Sequence, residues 1–145
     1  MRERRAAAED ATDAYVGRLV RQTTQSFPDA MVEGWERIEG SIELPDPNDC
    51  HVVAAALIGR ADVIVTDNTK DFPAERLPSP LFTQTLVEFL LDSLDLYPAA
   101  VISAVVNVAE RTGRTGPRLT PMAVADFLAG AAAPGFGAAV GRLLH

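Results

Sequence analysis

Cysteine is almost missing from this chain of 145 residues: Cys50 stands alone. A single thiol forms no internal disulfide, so nothing points to an oxidising compartment, and the expected location is cytoplasmic. Long apolar runs are missing too. The longest, Val52 to Ile58, is far too short to cross a bilayer. The start, MRERRAAAED, is basic but lacks the apolar segment of a secretory signal, so no membrane role is expected. A basic excess is also lacking, with 13 Lys plus Arg against 20 Asp plus Glu and a net charge of −7. Without a general positive field to release counterions, polyanion binding has to rest on a local basic patch or a bound metal ion. There is no repeat, low-complexity tract or linker. With 48% hydrophobic and 23% charged residues, the sequence reads as one folded domain over residues 1–145.

Element signals are strongest in the middle. Residues 2–27 are rich in Ala, Glu and Arg and predict a helix, broken near Asp10 to Asp13, with Val16, Leu19, Val20 and Thr23 on one face. Pro28 stops it, and Ala30 to Val32 predicts a short strand. Asp46 suits an N-cap, Pro47 a first helical position and Asp49 the third, in a pattern like a capping box. That helix is expected to run to Ile58 and stop at Gly59. DVIVT then reads as a short, buried parallel strand, and DNTKDFP as a turn closed by Pro73. Farther on, Thr85 with Glu88 predicts a capping box opening a helix. Pro98 starts another that stops at Gly113, and Thr120 with Pro121 starts a third. The Gly-rich tail is a weaker helix signal.

The chemistry concentrates between residues 46 and 73. A helix followed by a strand in the same layer runs back across the sheet, so the helix start and the strand end share an edge. That edge is where open parallel sheets build sites. Asp49 is therefore expected near Thr66, Asp67, Asn68 and Asp71. Clustered carboxylates repel unless a cation sits between them, and Mg²⁺, with its preference for oxygen ligands, is the natural partner. Such an ion activates water and neutralises the charge developing on a phosphodiester. The residues alone leave a plainer reading open: Asp46 and Asp49 as helix-dipole partners, Asp67, Asn68 and Asp71 as turn formers. His51, two residues from Asp49, makes no chelating pair with it. Cys50 reads as a structural thiol, and Lys70 and Arg60 as solvated side chains.

DPNDCHVVAAA followed by ADVIVTDNTKDFP resembles the PIN-domain family, and within it the VapC-like toxins of type II toxin–antitoxin systems. Thr66, Asn68, Asp71 and Phe72 fit the family's T-x-N-x-x-D-F pattern at a strand end, and Asp49 fits its acidic helix start. FPDAMVEGWE before and TLVEFLLDSLDLYP after extend the likeness over most of the chain. The resemblance implies a PIN-like (Rossmann-like) three-layer α/β fold with a short parallel sheet. It divides the chain into a partial PIN core over residues 1–84 and a C-terminal helical extension over residues 85–145. It further implies a ribonuclease dependent on Mg²⁺ or Mn²⁺. Asp49, Asn68 and Asp71 would be catalytic, Asp49, Asp67 and Asp71 metal-binding, and Thr66 would orient the loop by hydrogen bonding. RNA is the implied substrate and an antitoxin protein the implied partner.

The pattern departs from the family at its start. PIN domains open with a strand carrying an acid and a helix carrying another, usually Glu, whereas this chain opens directly in a charged helix. Roughly forty to fifty residues of the family layout are expected to be missing. Glu3 and Glu9 lack the surrounding motif and are not assigned to the site. Cys50 stands where the family often has a basic residue. An unpaired sheet edge left by the missing strand would favour a homodimer that covers it. The alternative to an active ribonuclease is an inactive, truncated PIN protein that works only in protein binding or oligomerisation. A phosphatase is set aside, because no opening strand carries the required pair of aspartates.

Overall fold

The computed structural model describes residues 2–114, 116–131 and 133–145, with side chains from residue 13 onward; the side chains of Glu3 and Glu9 lie outside the described residues. The elements are α1 (Arg2–Ser26), α2 (Glu36–Glu39), α3 (Cys50–Ile58), β1 (Val63–Val65), β2 (Phe82–Gln84), α4 (Leu86–Leu96), α5 (Pro98–Thr112), α6 (Pro121–Gly130) and α7 (Pro134–Leu143). The architecture is α/β and mainly helical, with β1 and β2 parallel in register Val63 to Phe82, Ile64 to Thr83 and Val65 to Gln84.

Two sequence expectations fail here. α1 runs unbroken through Asp10 and Asp13. Its Ala, Arg, Glu and Gln residues are strong helix formers, and the few tenths of a kcal/mol that each Asp costs (~0.7 at most) do not stop such a helix. Nor is there a strand at Ala30 to Val32. Pro28–Ala30 forms a single tight helical turn, and Met31 is extended without a ladder partner among the described residues. Val32 packs on the end of α3 instead. A Cβ placed on Gly59 would lie 3.1 Å from a Val32 methyl and 3.1 Å from the Ala55 carbonyl oxygen. Gly59 thus ends α3, as expected, and also admits a neighbouring side chain. The left-handed residue of that turn is Arg60, at φ 54°.

Other signals hold. DVIVT forms β1, although only Ile64 of its three ladder residues is buried and Val65 is 40% exposed. Thr85 and Glu88 make the reciprocal capping box, Pro98 and Pro121 open α5 and α6, and Gly113 follows α5. The Gly-rich tail is helical as well, as α7, with Phe136, Gly137 and Val140 buried.

Two apolar clusters result. Val53 of α3, Ile64 of β1, Phe72 and Leu81 form one, with Ile42, Leu44 and Leu57 around it. Leu94, Val105, Ala109, Val124, Ala125, Ala133, Phe136 and Val140 form the other, among α4 to α7. α6 and α7 pack most intimately, because Gly137 presents no side chain to the α6 backbone. No described helix is long and apolar enough to cross a membrane.

Candidate functional site at the end of the first strand

The site begins with a short return. α3 has nine residues and β1 three, joined by residues 59–62, and the two elements pack together. At about 1.5 Å per helical residue and 3.3 Å per strand residue, both span on the order of 10 Å. Asp49 at the helix start and residues 66–71 after the strand therefore lie toward the same end of the pair.

At the strand end, Thr66 Oγ1 accepts a hydrogen bond from the Asn68 backbone N–H at 3.1 Å. The Asn68 side-chain amide donates to the Asp71 carboxylate. A tight helical turn over Thr69–Asp71 follows, and Phe72 then drops into the α/β cluster. Thr66, Asn68 and Asp71 are thus one hydrogen-bonded unit, anchored on either side by Ile64 and Phe72. Asn68 is exposed and Asp71 half-buried.

The other acids divide. Asp46 is a true cap, its carboxylate accepting from Asn48 N–H at 2.9 Å. Asp49 does not complete a capping box: it is half-buried, has helical backbone angles and makes no capping bond with its side chain. Helix capping therefore accounts for Asp46 and leaves the Asp49 carboxylate unexplained. Asp67 turns away to the helical part of the chain, where its Oδ1 accepts from the Leu86 backbone N–H at 3.2 Å.

The neighbouring candidates take structural places. Cys50 is buried, with Sγ donating to the Ile42 carbonyl at 3.4 Å. His51 Nδ1–H donates to the Asn48 carbonyl at 2.6 Å, and its ring sits against Trp35 at 5.9 Å between centroids. Lys70 and Arg60 are exposed.

A divalent ion asks for several oxygen donors at one point. Among the described residues, no three of His, Cys, Asp and Glu come together in a way that could hold one. Asp49, Asp67 and Asp71 by themselves thus do not fit the ion that the family resemblance implies. Sequence reasoning also missed β2, although Phe82 and Thr83 are good strand formers. With β2 went the contacts it brings: Thr66 N–H to the Gln84 carbonyl at 2.8 Å, and the Gln84 side-chain amide to Asp92 at 2.5 Å.

Residues 88–142 match the family model described as the VapC50 C-terminal domain. The chain is also 40% identical, over 96 residues, to a protein of Mycobacterium tuberculosis named "Putative ribonuclease VapC50". Over the matched residues the chain is similar in sequence to these VapC proteins. The alignment takes in 66% of this chain and 55% of that relative, so the chain spans about half the relative's length. No solved structure matches the chain. Its helices α4 to α7 are the part that the domain model describes, while the T-D-N-T-K-D-F loop lies before that match.

Proposed function

We propose that this chain is part of an endoribonuclease of the toxin–antitoxin type, built on a PIN-like core. In the overall change, water adds to an RNA phosphodiester and one P–O bond breaks. The observation that carries the reading is the Thr66–Asn68–Asp71 unit, held at the carboxyl end of a parallel strand. The relative's name supports the same direction. In this reading Asp49, Asn68 and Asp71 are the chain's contribution to the reacting centre, and Thr66 fixes their loop.

The family's Mg²⁺ or Mn²⁺ needs more donors than these residues bring together, so a complete site takes carboxylates from elsewhere. A second copy of the chain is the source we propose. β1 has β2 as its one ladder partner among the described residues, which leaves its other edge free for pairing. Val65, on that strand, and Phe82 are both exposed. A cognate antitoxin is the second proposed partner, and the cytoplasm the proposed location.

A second reading is favoured by the unfinished donor set: a protein without catalysis, acting through its helices on a partner. Thermal melting separates the two. The ribonuclease reading expects Mn²⁺ to raise the melting temperature, and Asp49→Ala or Asp71→Ala to abolish that rise. The binding reading expects no Mn²⁺ response, with Asp49→Ala costing at most the ~0.5–2 kcal/mol of a helix-start residue. Cutting of a mixed RNA by the purified protein, lost in Asp49→Ala, tests the activity itself.

A further inference from the structure

We infer that Asp67 is a positioning residue that docks the strand-end loop onto the N-terminus of α4, and that it is not a metal ligand. The parallel register leads there. Val65 is the last ladder residue of β1 and lies opposite Gln84. Beyond it, Thr66 N–H still donates to the Gln84 carbonyl at 2.8 Å. Two residues further along each chain, the register brings Asp67 alongside Leu86, the first residue of α4.

The first turn of a helix has N–H groups with no partner inside the helix. At α4 they are shared out. Thr85 Oγ1 accepts from Glu88 N–H at 3.3 Å, and Glu88 returns the bond to Thr85 N–H at 2.8 Å. Asp67 takes Leu86 N–H at 3.2 Å, a donor outside the reach of that capping box. Its negative charge also lies at the positive end of the helix dipole. The capping box is local to residues 85–88, but the Asp67 bond joins positions nineteen apart in sequence. It therefore ties the loop carrying Asn68 and Asp71 to the first of the C-terminal helices.

That assignment explains why the acids after β1 do not act as one cluster. Asp67 faces α4, and Asp71 faces Asn68. What the loop is positioned to do rests on the ribonuclease reading. The docking itself does not, and it is testable without RNA.

The experiment compares Asp67→Asn and Asp67→Ala in the full chain. It follows amide hydrogen exchange at Leu86, the side-chain NH₂ resonances of Asn68, and melting with and without Mn²⁺. Asn keeps an acceptor oxygen and should hold Leu86 protection near the native level, with the Asn68 resonances unmoved. Ala removes the acceptor, so Leu86 should exchange faster by on the order of tenfold, a typical cap loss, and the Asn68 resonances should shift. Any Mn²⁺ response of the melting temperature should survive in Asp67→Asn. Loss of that response with Leu86 still protected would overturn the assignment and make Asp67 a ligand. Equal Leu86 exchange in both variants and the native chain would overturn it too. If no form responds to Mn²⁺ but Leu86 and Asn68 behave as described, the docking stands and the ribonuclease reading fails separately.

Discussion

The side-chain amide of Asn68 donates a hydrogen bond to the carboxylate of Asp71, three residues along the loop that leaves β1. The bond is local and exposed, and it joins two polar side chains of the loop to each other. Its neighbours are fixed in turn by the Thr66 hydroxyl and by the buried ring of Phe72.

Asn68→Ala follows directly. Asn68 is exposed, so its loss should change stability by no more than about 0.5 kcal/mol. Under the ribonuclease reading, RNA cleavage should nevertheless fall by roughly tenfold or more, because positioned hydrogen-bonding groups carry effects of that size. Paired denaturant melts and cleavage time courses check both halves.

The start of α4 carries a pH signature. Hydrogen bonds from the Thr85 backbone, and then from its hydroxyl, hold the Glu88 carboxyl below its ordinary value of 4.5. A carboxyl lowered in the folded state stabilises the fold fully above its unfolded value and loses that contribution as pH falls through the folded value. Glu88→Gln should therefore melt below the native protein at neutral pH. The gap should close as the pH drops below 4.5. Thr85→Ala removes the other half of the box and should cost about 0.5–2 kcal/mol at neutral pH. Melting temperatures across a pH series measure both.

Gly137 should not tolerate alanine. A Cβ there would lie 2.6 Å from the Ala125 carbonyl oxygen and 2.7 Å from the Ala129 Cα, both backbone atoms of α6. Backbone cannot rotate away as a side chain does, so α6 and α7 must separate. The cost should be on the order of 1–3 kcal/mol or more, visible as a lower denaturant midpoint. Gly135→Ala is the control: its nearest neighbours are methyl groups of Leu91 and Val87 at 3.8 Å, ordinary contact.

The sequence was most readable where a local chemical rule decides the structure. The Thr85–Glu88 box, the prolines at 98 and 121 and the β-branched run of β1 are of that kind, and all are in place. Ala30 to Val32 was misread because a strand exists only with a partner, and a sequence does not show that Val32 has Gly59 beside it instead. Asp67 was hidden for the same reason. In the sequence it reads as a turn former or, by the resemblance, as a metal-binding acid, and only the register of β1 on β2 brings it to Leu86. Thr66, Asn68 and Asp71 were singled out by their resemblance to a family pattern, and the hydrogen bonds that tie them span no more than three residues.

Cleavage of a mixed RNA by the purified chain, with Mn²⁺ or Mg²⁺ present, tests the ribonuclease reading most directly. The account predicts cutting that stops on chelation and in Asp49→Ala, while the variant still melts as a folded protein. A folded native chain that leaves the RNA intact with either ion, or that cuts equally well after chelation and in Asp49→Ala, would contradict it.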